Sequence, residues 1–318
     1  MDLLVVGELN MDLILNNVES FPELEKEKIA QDMSLTLGSS SAIFASNISR
    51  LGINTGFCGM IGDDAFGSQV INQLKNFGID SSFVTTSATS KTGLTAIIRV
   101  GDSRAMVTYP GAMAHFSGKD IPDAAFTDAT HMHISSIFLQ PNIKKDLLKI
   151  VKKANANGLT VSIDPQWDPN EKWDININEL LDYIDFFLPN REEFLNLVKS
   201  DNIEEGLKKI GPGKKATIIV KNGKNGATYY EDNKITTVPT YINNNPADAI
   251  GAGDSFNAGF IYQFLKGRSR LECVELGNLT GAVSTTKSGG TAAITSLNDV
   301  LKTAKDKFTI PNIDDFTG

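Results

Sequence analysis

Two hydrophobic periods divide this chain. Leu3-Leu4-Val5-Val6 is a continuous apolar run closed by Gly7, which predicts a strand buried on both faces. Over residues 28–37 the pattern changes to alternation, with Ile29, Met33, Leu35 and Leu37 on one face and Lys28, Asp32, Ser34 and Thr36 on the other. Leu94, Ala96, Ile98 and Val100 alternate in the same way up to Gly101-Asp102-Ser103. Ala105, Val107 and Tyr109 then lead back, so a hairpin with one polar face is predicted. Two half-exposed β segments so far apart predict a small sheet beside a larger body, built from about residues 13–37 and 91–112.

The remaining pattern is strand alternating with helix. Small residues from Gly38 feed a helix stopped by Gly52, and a second helix runs through Phe77. Strands are predicted over 130–134, 160–163, 186–188 and 216–220. Helices carry Ile143, Leu147, Leu148, Ile150 and Val151, then Phe194, Leu197 and Val198, then Phe256, Phe260, Ile261, Phe264 and Leu265 up to Gly267. Strands spaced by helices imply an α/β fold with a mostly parallel sheet, helices on both faces, and ligands at the strand carboxyl ends. That end gathers Asn10 and Asp12, Asp164, Asn190 and Glu193, the turn from Lys221 to Gly226, and the stretch from Asp248 to Asp254. Asn10 and Asp12 share one face if the first strand continues that far.

Composition narrows the class. With 318 residues, 41% of them hydrophobic and 21% charged, the chain is long enough for one large α/β body or two smaller ones. A formal charge of -8 and a pI near 5.0 argue against nucleic-acid or anionic-membrane partners. Anionic nucleotides need only a local positive patch. Cys58 and Cys273 are isolated thiols that suit a reducing cytosol. Met1 leads straight into the first strand without a signal-peptide pattern, and no apolar run reaches membrane-spanning length. A cytoplasmic, soluble protein is expected.

The stretch with the most chemistry is Pro246-Ala247-Asp248-Ala249-Ile250-Gly251-Ala252-Gly253-Asp254-Ser255-Phe256. Its glycines precede an apolar-periodic helix, so open backbone N–H groups and the positive end of the helix dipole can receive an anion. Asp254 at that mouth either caps the helix or handles a proton. Three other patterns carry less. Residues 281–288 have the spacing of a phosphate-wrapping loop, but Thr286 replaces the glycine it needs. Phe256 stands where a dinucleotide fingerprint requires glycine, which argues against an oxidoreductase. His131 and His133 share a strand face and could hold a metal, but with no carboxylate or cysteine cluster beside them a structural or substrate-adjacent role is expected.

Asp248-Ala249-Ile250-Gly251-Ala252-Gly253-Asp254 resembles the D-x-x-G-A-G-D motif of the ribokinase-like (PfkB-type) carbohydrate kinases. Other motifs follow in family order from Asn10 to Gly290. The pair Asn10 and Asp12 resembles the family's N-x-D. The segment from Gly38 through Ala45 to Arg50-Leu51-Gly52 resembles its first signature, with Ser39 and Ile43 replacing a glycine and an asparagine. The resemblance implies a three-layer αβα fold over residues 1–318 as one domain, with the small sheet as a lid. It implies ATP and Mg²⁺ as cofactors, with Gly251, Ala252 and Gly253 as the anion hole and Asp254 as the base. Asn10, Asp12, Gly38 and Ser39 would bind the sugar, and Asn190, Lys221, Gly223, Gly226 and Asn278 the nucleotide. Glu193 would organise Mg²⁺ through water, although Asn190 to Glu193 also reads as a helix-capping box. Asp248 and Ile250 match a monovalent-cation site, which makes K⁺ a further expected ion.

A fructose-like ketose is the first expected acceptor, a 2-keto-3-deoxy sugar acid the second and a nucleoside the third. The segment Asp164-Pro165-Gln166-Trp167-Asp168 lacks the arginine found near there in many relatives. The rival reading is a non-catalytic sugar or nucleotide sensor of the same fold. The lid's apolar face (Ile29, Met33, Leu35, Leu94, Ala96, Ile98) is expected partly to cover the sugar and partly to pair with a second lid in a homodimer.

Overall fold

The computed structural model describes residues 1–101 and 103–308, so Asp102 in the predicted turn and the end of the 1–318 unit lie outside the described residues. The chain opens with β1 (Leu3–Val6), β2 (Asn10–Asn16), β3 (Asp32–Leu37), α1 (Ser40–Arg50), β4 (Thr55–Gly62), α2 (Ala65–Asn76), β5 (Asp80–Ser87), β6 (Gly93–Val100) and β7 (Ser103–Tyr109). It continues through β8 (His131–Ser135), α3 (Pro141–Ala156), β9 (Thr160–Asp164), α4 (Ile177–Leu180), β10 (Phe186–Phe187), α5 (Arg191–Val198) and α6 (Ile203–Ile210). Then come β11 (Thr217–Lys221), β12 (Ala227–Glu231), β13 (Lys234–Val238), α7 (Ala252–Leu265), α8 (Arg270–Ser284) and α9 (Leu297–Lys307).

Among the described residues the strands form two sheets. The larger has the order β13-β12-β11-β10-β9-β8-β1-β4-β5, parallel except for the β11-β12-β13 meander at one edge. Alternating side chains of β1 show why its run is apolar throughout. Leu3 and Val5 enter a core with α1, α2, α7, α8 and α9, whereas Leu4 and Val6 enter another with α3 to α6. A sheet covered on both faces admits no polar alternation. The result is three layers, α/β/α. No helix among the described residues is long and apolar enough to cross a membrane.

The smaller sheet has the order β3-β2-β6-β7. It corrects three expectations. Asn10 and Asp12 do not prolong the first strand: β1 ends at Val6, and the two residues open β2 in the other sheet. Ile29 lies outside any strand, because β3 starts only at Asp32, opposite Asn16, and Asn17 leaves β2 with φ of 56°. The last backbone bond to β2 runs from Gln31 N to Asn16 O at 3.2 Å, and Ile29 before it is 75% exposed. The apolar face also points the other way. Register places Leu13, Leu35 and Ala96 side by side, and Asp12, Thr36 and Thr95 on the opposite face. It is the face of Asp12, Thr95, Ile97 and Met106 that lines the cleft, so Met33, Leu35, Leu94, Ala96 and Ile98 cannot cover a ligand there.

Candidate active site

A cleft of ≈ 1350 Å³ lies between the small sheet and the carboxyl ends of the parallel strands. Pockets for one small molecule are commonly about 300–1,000 Å³, so two ligands fit.

Gly251 turns the chain into α7. Its φ is 73°, and a Cβ there would lie 2.6 Å from Gly290 Cα and 3.0 Å from Ile43 Cγ2, so no larger residue fits. Ile43, one of the two departures from the family pattern, therefore packs against the glycine turn. The helix begins with no side-chain cap. Of its first-turn N–H groups, that of Ala252 donates to Ala249 O at 3.3 Å, and the turn stands at the positive end of a 14-residue helix. Lys221 Nζ adds a full positive charge, 3.4 Å from the point a Cβ would occupy on Gly253.

Asp254 is 6% exposed and lies in the first turn of α7 without capping it. The capping alternative falls with that geometry. Its Oδ1 instead accepts a hydrogen bond from Gln166 Nε2 at 3.1 Å. Burial, and then the neighbouring Asp164, hold the Asp254 carboxyl well above the usual carboxylate range, while Lys221 opposes them. Asp164 is fully buried, and its Oδ2 accepts from Lys221 Nζ at 2.6 Å and Asn257 Nδ2 at 2.5 Å. Lys221 therefore belongs to the floor of the site as much as to the glycine turn after it.

Asn10 Nδ2 donates to Thr95 Oγ1 at 2.9 Å and to Asp12 Oδ1 at 3.2 Å, so the two strand neighbours act as one polar group. Gly38 makes room for them, since a Cβ there would meet Asp12 Oδ1 at 2.2 Å. Burial pushes the Asp12 carboxyl up to about 6. Ser39 adopts φ of 70°, a conformation that favours the glycine it replaces. Its hydroxyl donates to Glu8 O at 2.8 Å and accepts from Ala42 N at 3.0 Å, capping α1.

On the other side, Asn190 and Glu193 form the complete capping box of α5. Burial, then Asp164, push the Glu193 carboxyl up to about 7. Among the described residues no three His, Cys, Asp or Glu side chains form a metal cage. Glu193 lines the cleft, and one carboxylate suffices for Mg²⁺ held mainly by phosphates and water. Gly223 and Gly226 line the cleft with φ of 51° and 82°, and a Cβ on Gly226 would strike Val238 O at 2.0 Å. Asn278 lines the cleft too, but its Nδ2 is spent on Val238 O and Pro239 O at 3.2 and 3.1 Å. Asp248 accepts from Ile250 N at 3.0 Å and Gly289 N at 3.3 Å, and Arg99 of the small sheet lies 3.6 Å from its Oδ2.

His131 and His133 are buried and share Ser162 Oγ, at 2.8 and 2.7 Å. Burial holds both down to about 3, so they are neutral structural groups, as expected of a pair without acidic neighbours.

Glu8, Thr95 and Gln166 are cleft residues that the sequence reading passed over. Glu8 follows the first strand as a lone polar residue and gave no motif. It is 1% exposed, bonded to the Ser41 hydroxyl, and burial pushes it up to about 7 from 4.5. A folded-state value above the unfolded one means stability present below pH 4.5 and lost as pH rises through 7. Glu8→Gln should therefore gain on the parent by about 2 kcal/mol between pH 5 and pH 8. Denaturant melts at the two pH values check this; a difference independent of pH would show that Glu8 is not buried as an acid.

Residues 1–297 match the pfkB family of carbohydrate kinases. An uncharacterised sugar kinase from Archaeoglobus fulgidus is 30% identical over 76% of this chain and 95% of its own length. A 5-dehydro-2-deoxygluconokinase from Geobacillus thermodenitrificans is 27% identical, covering 94% of this chain and 92% of its own. A solved protein described as a ribokinase II from E. coli, in complex with ATP and Mg²⁺, shares the fold with a TM-score of 0.84. It is 23% identical, and the match spans 96% of this chain and 99% of that one. The glycine turn, the buried Asp254 and the two-sheet cleft thus stand within a known fold, and the chain belongs to the pfkB family of carbohydrate kinases.

Proposed function

We propose that this kinase transfers the γ-phosphoryl group of ATP to a hydroxyl of a fructose-like ketose. The observation that carries the reading is Asp254: a buried carboxylate, free of any capping duty, beside a glycine turn that offers N–H groups and Lys221. Asn10 and Asp12 hold acceptor hydroxyls from the small sheet, which acts as a lid over one ribokinase-like unit. Asp254 takes the proton of the reacting hydroxyl, and its raised proton affinity suits a base. The N–H groups of Gly251, Ala252 and Gly253 with Lys221 stabilise charge on the moving phosphoryl group. Gly223 and Gly226 let the nucleotide lie close to the backbone, between Asn190 and Asn278. Mg²⁺, when bound, neutralises phosphate charge near Glu193.

A second acceptor class has its own observation. Arg104 lines the cleft, paired in register with Arg99, and a guanidinium suits a carboxylate. Together with the gluconokinase relative, it favours a 2- or 5-dehydro-deoxygluconate. ADP release over a panel of D-fructose, 2-dehydro-3-deoxygluconate, 5-dehydro-2-deoxygluconate, ribose and adenosine separates the readings. Ligand binding without ADP release from any of them would instead mark a sensor.

Asn10→Ala or Asp12→Ala should raise KM for the acceptor by about 5- to 150-fold, the loss of a buried hydrogen bond of 1–3 kcal/mol, with ATP affinity unchanged. Weaker ATP binding with an unchanged acceptor KM would contradict the placement. K⁺ beside Asp248 and Ile250 would share the carboxylate with Arg99; rates in K⁺ against tetramethylammonium buffer test that site, and equal rates would remove it. The outer face of the small sheet leaves Met33, Val107 and Tyr109 58%, 75% and 54% exposed, which supports a dimer through the lids. Light scattering is expected to give twice the 34.4 kDa chain mass, and a monomer at assay concentration would remove the dimer.

A further inference from the structure

We propose that Gln166 is a positioning residue for the base, holding the Asp254 carboxylate so that one oxygen is engaged and the other faces the acceptor hydroxyl. The inference rests on the reading of Asp254 as the base.

Gln166 sits just beyond the end of β9 with φ of 58°, a left-handed backbone that residues other than glycine adopt rarely. Something must hold it there, and Asp164 does. Its Oδ1 accepts the backbone N–H of Gln166 at 3.2 Å, while its Oδ2 is fixed by Lys221 and Asn257. The turn is thus tied to a fully buried carboxylate at the strand end, and it aims the Gln166 side chain across the cleft floor at Asp254.

The chemistry of the amide sets what the contact does. Only the Nε2 end donates, and the opposite orientation would set the amide oxygen against a carboxylate oxygen. Nε2 therefore occupies Oδ1 of Asp254, at 3.1 Å, leaving Oδ2 as the proton acceptor. A donor on a carboxylate also favours its ionised form. That matters here because Asp164 from β9, Glu8 beyond β1 and Glu193 from α5 all press Asp254 toward the protonated form, and Lys221 from β11 counters them. Asparagine would fall one methylene short of the carboxylate. An arginine would add a second full charge beside Lys221 and weaken the base.

The test compares pH profiles of kcat/KM for Gln166→Leu and Gln166→Gly with the parent. The acceptor is D-fructose, or 2-dehydro-3-deoxygluconate if fructose supports no ADP release. Both variants lack the donor, and the glycine variant also suits the left-handed backbone, so it keeps the fold if the leucine variant does not. The acid limb should move to higher pH by about one unit or more, the loss expected for a hydrogen bond to a charged group. At pH 7 kcat should fall about tenfold or more and recover toward the parent above the shifted limb, with KM for ATP within about twofold. An acid limb that stays in place in both donorless variants while Asp254→Asn abolishes turnover overturns the role of Gln166 and leaves the base standing. Retained turnover in Asp254→Asn overturns the base itself, and Gln166 with it.

Discussion

Asp254→Asn should lower kcat by about 10²–10⁴ while binding of ATP and acceptor stays within a few fold. The change keeps the size of the side chain and its ability to accept from Gln166 Nε2, so the local geometry has no reason to move. What the amide cannot do is take the hydroxyl proton. It also removes a negative charge close to Asp164, Glu8 and Glu193, so repulsion in the floor of the site falls and ATP affinity should hold or improve. Slow chemistry with equal or tighter nucleotide binding is the combination a structural role would not give. A capping residue would give neither, since Asn and Asp cap about equally well, and α7 starts without a side-chain cap in any case. Calorimetry on both ligands beside a steady-state rate decides it. A variant that keeps more than about a tenth of parental kcat rules Asp254 out as the base.

Lys221→Met is expected to lower stability by about 3–5 kcal/mol, the range for removing one partner of a buried ion pair. The lysine side chain is 11% exposed and the Asp164 side chain is fully buried. Without Nζ, Asp164 keeps only Asn257 on Oδ2, and the charge of the Asp164–Asp254–Glu193 group has lost the cation that opposes it. The double variant Lys221→Met with Asp164→Asn should recover more than half of the loss, because the uncompensated charge goes too. Turnover should not recover with it, since the positive charge beside Gly253 is still missing. Urea melts of the parent, both single variants and the double complete the cycle. A single variant within about 1 kcal/mol of the parent, the usual range of an exposed pair, would mean that the contact is solvated.

Much of this was written in patterns a single sequence carries. The buried strands read as apolar runs because both faces of the large sheet are covered, and β1 shows it residue by residue. Gly251 was legible because its φ and its contact with Gly290 admit only glycine. Asn10 and Asp12 were paired correctly by the period of two, though the strand holding them belongs to the other sheet. What escaped were features set by partners distant in the chain. The start of β3 depends on where β2 stops, which a pattern of alternation cannot know. The facing of the small sheet depends on which side meets the strand ends, and an apolar face looks the same whether it covers a ligand or meets solvent. Gln166 and Glu8 were missed for a third reason. Each is a single polar residue whose neighbours, Asp254 and Ser41, lie 88 and 33 positions away.

The most direct measurement of the central claim is a product balance. The protein is incubated with ATP, Mg²⁺ and each acceptor of the panel, and ADP, inorganic phosphate and phosphorylated acceptor are quantified in one sample by ³¹P NMR. The account predicts that one acceptor gives ADP and sugar phosphate in equal amounts, with inorganic phosphate no higher than in the control without acceptor. ADP matched by inorganic phosphate, or no ADP above that control with any acceptor, would contradict it.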